Sequence, residues 1–265
     1  MKTHLLAASL LGMSLINAPL GASAAPGQAW NTRVQNHLEQ FASQVKPNQV
    51  AVFDADGTLW KDDVGEGFLK WLIKHKKLAN QDPSRDYYGE YEKMCDVSHL
   101  QCYGYAVQLM AGMKESDVKK WSAEYFKAHF VKRVFQGQKK LIQTLQKKGA
   151  KVWIVSASHQ WIVEAGAPYL NVPLKQVVGI RVKVNQGLLT NELIAPVTYR
   201  PGKVKAIQKF IGKVPVLVSG NSMTDFEMLN HSSGVSLVIN PKNKGQLSDN
   251  LALQAQQKGW LVQHW

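Results

Sequence analysis

A chain of 265 residues with 45% hydrophobic residues, no repeat and no low-complexity tract is ordinary for a globular protein with one sizeable core and a modest insertion. Its formal net charge of +13 at pH 7 favours anionic partners. The lysines are scattered, however, only five arginines occur, and no nucleic-acid-binding signature is present, so we exclude nucleic acid as the expected partner. The charge indicates a solvated surface that steers small anionic substrates.

The first residues of the chain predict a secretory signal peptide. A short basic start at residues 1–4 precedes an apolar stretch at residues 5–20, and Ala22, Ser23 and Ala24 then offer a cleavage site of small residues. The stretch is short and has the wrong flanks for a membrane span; a retained anchor is the alternative interpretation. No later run is long and apolar enough to cross a bilayer. We therefore expect residues 1–24 to be removed and the protein to be exported, either periplasmic or secreted.

The first predicted strand ends in two carboxylates. After a helix predicted over residues 31–44, the apolar run at residues 50–53 leads directly into Asp54 and Asp56. Residues two apart on a strand project to the same side, so the two carboxylates can share one site. Their repulsion would raise their pKa values unless a hard cation such as Mg²⁺ offset it. The pattern predicts a metal site with a nucleophilic carboxylate; the alternative is an ordinary acidic turn closed by Gly57.

Residues 62–134 differ from the sequence on either side, because their apolar residues have the spacing of amphipathic helices. This segment therefore predicts a helical insertion. The two cysteines of the chain, Cys95 and Cys102, both fall within it. In an oxidising compartment they can form a disulfide worth about 2–3 kcal/mol in the chain-entropy model, and two free thiols are the alternative.

The remaining residues predict an alternation of strands and helices, which is typical of a mostly parallel sheet. A helix that includes residues 139–145 precedes a strand at residues 151–155, and a strand at residues 214–218 follows a helix that begins at Gly202 and Lys203. In addition, the sequence predicts a hairpin formed by residues 177–184 and 188–193 and a last core strand at residues 236–240.

Polar clusters follow two of these strands. Ser156, Ala157 and Ser158 come directly after residues 151–155, and residues 219–225 come directly after residues 214–218. Ligands of open α/β sheets bind beyond the carboxyl ends of the strands, so these clusters are expected to lie at one site with the first pair of aspartates.

Together and in this order, the clusters resemble the four motifs of the haloacid dehalogenase superfamily of phosphohydrolases. The resemblance implies an α/β fold with a Rossmann-like, mostly parallel core made of residues 25–61 and 135–265. Residues 62–134, inserted after the first strand, look like the helical cap that one class of these phosphatases closes over the site. Caps exclude water and select the leaving group, so the resemblance assigns substrate choice to this segment.

The resemblance also implies a role for each motif residue. Asp54 matches the nucleophile that forms an aspartyl-phosphate, and Asp56 matches the general acid and base, whose backbone carbonyl also binds Mg²⁺. Ser156 and the amide of Ala157 match the phosphate-binding second motif, and Lys203 matches the cation of the third. These groups are expected to offset charge on the transferred phosphoryl group.

The fourth motif departs from the commonest family pattern. Many relatives have an aspartate that binds the metal where this chain has Asn221, and Asp225 matches the second acid of the motif. The resemblance therefore implies Mg²⁺ ligands at Asp54, Asp56, Asn221 and Asp225, with one negative charge fewer and a lower metal affinity.

Acids and aromatic residues mix at the start of the insertion, where Trp60, Asp63 and Glu66 are candidate substrate-binding residues. Acids beside rings can hold an ammonium group through charge and cation–π contacts. Asp63 falls near the place where phosphoserine phosphatases, which this chain resembles, keep an acid for the substrate amine. The alternative is that most of these rings form the core of the cap itself.

We therefore expect an exported, Mg²⁺-dependent phosphomonoesterase that acts on a small phosphate ester, with an amino-alcohol phosphate such as phosphoserine or phosphorylcholine favoured. One alternative is a phosphatase of broad specificity that scavenges phosphate. Another is a catalytically silent relative that only binds a ligand in the cleft.

Overall fold

The computed structural model describes residues 29–241 and 249–265, so the predicted signal peptide lies outside the described residues. Eight strands are described: β1 (Val50–Phe53), β2 (Lys151–His159), β3 (Val177–Ile180), β4 (Val182–Asn185), β5 (Leu188–Leu193), β6 (Leu217–Gly220), β7 (Val235–Ile239) and β8 (Leu261–Gln263). Six of them form one sheet in the order β3-β2-β1-β6-β7-β8, and every pair in it is parallel. The predicted α/β fold with a mostly parallel sheet is confirmed.

Helices cover both faces of this sheet. The described helices are α1 (Thr32–Gln44), α2 (Val64–Lys74), α3 (Tyr87–Val97), α4 (His99–Gln108), α5 (Glu115–His129), α6 (Gln136–Lys147), α7 (Gln160–Gly166), α8 (Pro201–Ala206), α9 (Phe226–Asn230) and α10 (Leu251–Lys258). In β1 all four residues are buried. Ala51 and Phe53 pack into one apolar cluster, and Val50 and Val52 pack into the other, because alternate residues of a strand face opposite sides.

The predicted insertion, residues 62–134, contains the four helices α2–α5. The disulfide between Cys95 and Cys102 is formed and joins α3 to α4, with their Cα atoms 5.0 Å apart. Cys102 packs with Leu69 and Tyr91 in a small apolar cluster inside this segment. Several of its aromatic rings therefore do serve as local core.

An antiparallel ribbon of β4 and β5 lies apart from the main sheet and joins the helical insertion. The amide of Gly112 donates to the carbonyl of Leu189 over 2.8 Å, and the amide of Leu189 donates to the carbonyl of Met113 over 2.9 Å. These bonds attach the loop between α4 and α5 to a ribbon that continues directly from β3 of the core.

Some predicted strands differ from the structure. The strand predicted at residues 151–155 extends to His159, and the one predicted at residues 214–218 is shifted to Leu217–Gly220. The run at residues 177–184 divides into β3, which pairs with β2 in the sheet, and β4, which pairs with β5. The strand predicted as the last one, near β7, is followed by α10 and by β8. A strand of three residues carries too little periodicity to be found locally, and β8 forms because the open edge of β7 accepts its backbone.

Within residues 29–241 and 249–265, no helix combines the length and the apolar character needed to span a membrane.

Replacing both cysteines by serine should lower the free energy of unfolding by about 2–3 kcal/mol, because the disulfide restricts the unfolded chain. The bridge closes a short loop, with a sequence separation of 7 residues. Urea unfolding of the Cys95→Ser/Cys102→Ser variant measures the change, and wild type in a reducing agent is the matched control. An unfolding midpoint equal to that of the oxidised wild type would contradict a stabilising bridge.

Candidate active site

The end of β1 delivers both predicted carboxylates to one edge of the sheet. The amide of Asp54 donates to the carbonyl of Ser219 over 2.9 Å, so the pairing with β6 continues past the strand itself. Gly57 then turns the chain with a φ of +73°. A Cβ atom at Gly57 would lie 2.0 Å from Nδ2 of Asn221. Both the backbone conformation and the close approach therefore require glycine here.

A buried lysine, Lys203, binds both Asp54 and Asp225. The Nζ atom of Lys203, near the start of α8, lies 2.5 Å from Oδ1 of Asp54 and 2.5 Å from Oδ1 of Asp225. Both Lys203 and Asp225 have fully buried side chains. Burial by itself would lower the pKa of Lys203, but Asp225 and Asp54 outweigh burial and raise it, so the ammonium stays charged.

Asp54 experiences opposing influences. Burial, followed by the charge of Asp225, raises the pKa of Asp54 to about 6, while the Lys203 ammonium acts in the opposite direction. The second oxygen of Asp54, Oδ2, accepts a hydrogen bond from the Thr58 hydroxyl over 3.0 Å. The carboxylate is therefore held by one cation and one hydroxyl, and the cation favours its ionised form.

Both oxygens of Asp225 are occupied by groups of the protein. Oδ1 accepts from Lys203, and Oδ2 accepts from the backbone amides of Asn221 over 2.9 Å and Ser222 over 3.2 Å. A Cβ atom at Gly220 would lie 2.6 Å from Cβ of Asp225, so the loop after β6 passes very close to this side chain. Asp225 thus fixes both the lysine and the loop that carries Asn221.

Among the described residues, Asp56 accepts hydrogen bonds only from neutral donors. Its Oδ1 accepts from the indole nitrogen of Trp60 over 2.8 Å and from the amide of Val64 over 2.7 Å, and its Oδ2 accepts from the Ser158 hydroxyl over 2.6 Å. Burial, and after it the charge of Asp63, raises the pKa of Asp56 well above its usual range. This environment favours the protonated form of Asp56, whereas Lys203 favours the ionised form of Asp54.

The second motif lies beside this pair because β2 is the parallel neighbour of β1. The Ser156 hydroxyl accepts from the amide of Ser158 over 3.1 Å. The backbone carbonyl of Ser156 accepts from the buried Thr198 hydroxyl. Ser156 and Ala157 therefore stand on a strand end that is fixed on both sides.

A cavity of about 730 Å³ joins the sheet edge to the helical insertion. Predicted site residues that line it are Asp54, Asp56, Asp63, Glu66, Ser156, Ala157 and Asn221. Trp60, Lys203 and Asp225 lie behind this wall. We expected Trp60 to contact substrate, but its side chain is fully buried and holds Asp56 from behind, packed against Phe126 with ring centroids 5.0 Å apart.

The two acids predicted to bind substrate differ in their partners. Glu66 lies 2.7 Å from the Lys70 ammonium and accepts from the Tyr88 hydroxyl over 2.5 Å. Asp63 is the N-cap of α2 and accepts from the amide of Glu66, and across the described ranges it forms no ion pair. Asp63 is therefore the acid whose charge is left for a ligand.

The donors at the sheet edge fit a hard divalent cation. Mg²⁺ prefers oxygen ligands and retains several waters. The Asp54 carboxylate is one such donor, and Oδ1 of Asn221 is another, since its contact with the Thr58 hydroxyl is long, at 3.4 Å. Asp225, in contrast, does not line the cavity, and its oxygens already accept from Lys203 and from two backbone amides. The candidate donors thus comprise one carboxylate and one amide oxygen. No cluster of three or more His, Cys, Asp and Glu side chains suited to a metal occurs in the described part of the chain. The metal roles of Asp56 and Asp225 stay predictions.

Sequence reasoning placed Ser158 in a polar cluster of the site but gave no role to it or to Thr58. Thr58 binds Asp54, and Ser158 binds Asp56. The contact of Ser158 could have been anticipated, because it lies two residues after Ser156 on a strand and so shares its side. Tyr91 and Tyr103, two of the aromatic residues farther along the insertion, line the cavity. The sequence does not reveal which of those rings reach the cavity, since their position depends on how the helices pack over the sheet.

Comparisons with known proteins agree with the motifs. The family model described as haloacid dehalogenase-like hydrolase matches residues 51–230. The chain is 26% identical to phosphorylcholine phosphatase of Pseudomonas aeruginosa, with 91% of this chain and 92% of that protein covered. It is also 26% identical to a phosphoserine phosphatase of Streptomyces coelicolor, with 74% of this chain but only 45% of that protein covered.

Solved structures share the fold. A conserved protein of unknown function from Anaerococcus prevotii superposes with a TM-score of 0.67 at 18% identity, over 91% of this chain and 93% of that one. A substrate-bound phosphoserine phosphatase superposes with a TM-score of 0.51 at 17% identity, over 74% of this chain and 88% of that one.

Substituting Lys203 by methionine should lower the free energy of unfolding by about 3–5 kcal/mol at neutral pH, because two buried carboxylates then repel each other without a cation. The loss should shrink towards pH 4, where Asp54, whose pKa is already raised to about 6, takes up a proton. Urea unfolding at both pH values measures this. Lys205→Met, an exposed position on the same helix, is the control, and equal effects of the two variants would refute the role of the buried pair.

Proposed function

The chain belongs to the haloacid dehalogenase-like hydrolases and is a phosphoric monoester hydrolase, and we propose that it hydrolyses a small amino-alcohol phosphate with Mg²⁺, through a phosphoryl group carried on Asp54. The observation that supports this most is the contrast between two carboxylates on one cavity wall. Asp54 faces a buried ammonium, and Asp56 faces only neutral donors. Such a division is what a nucleophile and a general acid require.

In the first half of the proposed reaction, an Asp54 carboxylate oxygen forms a bond to phosphorus while the bond from phosphorus to the alcohol oxygen breaks. Asp56 gives its proton to that leaving oxygen. The Ser156 hydroxyl and the Ala157 amide, both on the cavity wall, donate to the phosphoryl oxygens. A bound Mg²⁺, held by Asp54 and Asn221, would supply further positive charge to the phosphoryl group.

In the second half, Asp56 takes a proton from a water molecule, whose oxygen attacks phosphorus. The bond between phosphorus and Asp54 breaks, and inorganic phosphate leaves with Asp54 again ionised. Lys203 stays bonded to Asp54 throughout and keeps this carboxylate a good leaving group.

The insertion forms one wall of the cavity, and the residues on this wall favour a substrate with a positive charge. Asp63 offers a carboxylate without an ion-pair partner in the described ranges, and Tyr91 and Tyr103 line the same cavity. An ammonium beside these groups gains both charge and cation–π attraction. Arg85, in contrast, is exposed and bonded to Glu90, so it is not free to read a substrate carboxylate. The names of the two curated relatives, a phosphorylcholine and a phosphoserine phosphatase, support the same class.

We also propose that the protein works outside the cytoplasm. The signal-peptide pattern of residues 1–24 supports export. The disulfide between Cys95 and Cys102 supports an oxidising compartment, because such bonds are rare in the cytosol.

Replacing Asp54 by asparagine should reduce kcat by about 10⁴-fold or more, since the attacking oxygen is lost. Hydrolysis of p-nitrophenyl phosphate with Mg²⁺, and again after chelation, measures turnover and its metal dependence. Asp96→Asn, an exposed position on α3, is the matched control. Turnover that survives in Asp54→Asn, or that does not respond to the metal, would contradict the mechanism; no turnover in wild type would favour a silent binding protein.

Replacing Asp63 by asparagine should lower kcat/KM for phosphorylcholine and phosphoserine by roughly 10–100-fold, the scale of a lost charged contact of about 1.5–3 kcal/mol. Hydrolysis of glycerol phosphate, which has no cation, should change little. Glu66→Gln is the control, because Lys70 already pairs with Glu66 and the effect should be smaller. Equal rates on all three esters in wild type would instead identify a phosphatase of broad specificity.

A further inference from the structure

Ser158 is the one direct partner of Asp56 on the second strand of the site. It lies near the carboxyl end of β2, two residues past Ser156, and its side chain lines the cavity. Its hydroxyl lies 2.6 Å from Oδ2 of Asp56. This is a short contact between a neutral hydroxyl and the carboxyl group to which the proposed function assigns the proton transfers.

The other oxygen of Asp56 has partners of a different kind. Oδ1 accepts from the indole N–H of Trp60 over 2.8 Å and from the amide of Val64 over 2.7 Å. An indole N–H and a backbone N–H can only donate. A proton on Oδ1 would face two donors, so the proton of the acid form belongs on Oδ2, next to Ser158.

A hydroxyl is the one partner in this set that can both donate and accept. When Asp56 is ionised, Ser158 donates to Oδ2; when Oδ2 carries the proton, the Ser158 oxygen can accept from it. Trp60 and Val64 keep their bonds to Oδ1 in both states. The carboxyl group therefore need not rotate as its proton leaves and returns.

The surroundings hold this hydroxyl in place. A Cβ atom at Gly65 would lie 2.3 Å from Oγ of Ser158, so the first turn of α2 leaves room for the serine only because Gly65 has no side chain. The amide of Ser158 donates to the Ser156 hydroxyl over 3.1 Å. Ser158 is 9% exposed, which leaves its side chain at the surface of the cavity.

We propose that Ser158 is a positioning residue that keeps Oδ2 of Asp56, the oxygen that carries the proton, directed at the leaving group. The inference rests on the acid–base role of Asp56 in the proposed function. As the bond from phosphorus to the alcohol oxygen breaks, that oxygen takes the proton from Oδ2, and Ser158 turns its O–H to donate to the new carboxylate. When water attacks the phosphorylated Asp54, Oδ2 takes a proton from the water, and the Ser158 oxygen again accepts.

Cleavage rates measured on two kinds of phosphate ester distinguish this role from a general loss of structure. The leaving alcohol of phosphorylcholine or phosphoserine needs a proton, whereas p-nitrophenolate leaves without one. In Ser158→Ala, we expect the rate of cleavage of the alkyl esters to fall by roughly 10–100-fold, part of the 10²–10⁴-fold contribution of general acid catalysis. The first-turnover burst of p-nitrophenol should keep its rate to within a few fold.

Rapid-quench measurements of phosphoenzyme formation with each ester give both rates, and urea unfolding checks the fold. Ser122→Ala is the matched control, because the buried Ser122 hydroxyl has no hydrogen-bond partner among the described residues and lies away from the cavity. Equal losses on both kinds of ester in Ser158→Ala, or no loss on either, would overturn the proposal. A wild-type enzyme that forms no phosphoenzyme would overturn the aspartyl-phosphate mechanism itself, and the positioning role with it.

Discussion

The site depends on one buried ammonium placed between two carboxylates. Asp54 directly follows β1, and Asp225 lies in the loop after the neighbouring β6, so the fold brings two buried negative charges together. Without a cation, these charges would repel strongly or take up protons. The Lys203 Nζ atom lies 2.5 Å from each of them and makes the arrangement stable. A buried pair of this kind stabilises little in net terms, but loss of one member leaves an uncompensated charge.

Other features of the site follow from this contact. Because Oδ1 of Asp225 is bound to Lys203, its Oδ2 is left to hold the amides of Asn221 and Ser222. That bond sets the position of Asn221, whose side chain approaches Gly57 so closely that no other residue fits at the turn. The ion pair between Lys203 and Asp225, which does not line the cavity, thus fixes the position of Asn221, a residue that could hold a metal.

Sequence reasoning found the residues whose position depends on local rules. Strand ends of a parallel sheet meet at one edge, so the strand pattern alone was enough to place Asp54, Ser156 and Asn221 together. Trp60 could not be placed in this way, because its spacing from Asp56 does not reveal whether the ring faces the cavity or the core. Glu66 lines the cavity but pairs with Lys70, and this ion pair was foreseeable because Lys70 lies four residues later on the same helix; a role for Glu66 in holding a cation stays a prediction. The short strand β8 depends on a distant edge and carries no local signal.

The helical insertion reaches Asp56, the proposed general acid, through a backbone contact. Val64, the first residue of α2, donates its amide to Oδ1 of Asp56, and Asp63 caps the same helix while facing the cavity. A movement of α2 would therefore change the acid and the charge that meets the substrate together. The ribbon of β4 and β5 restrains the loop between α4 and α5 of the insertion through the bonds of Leu189. In the proposed mechanism, substrate choice and proton transfer would therefore be linked through the first turn of one helix, because this turn carries both Asp63 and the amide that binds Asp56.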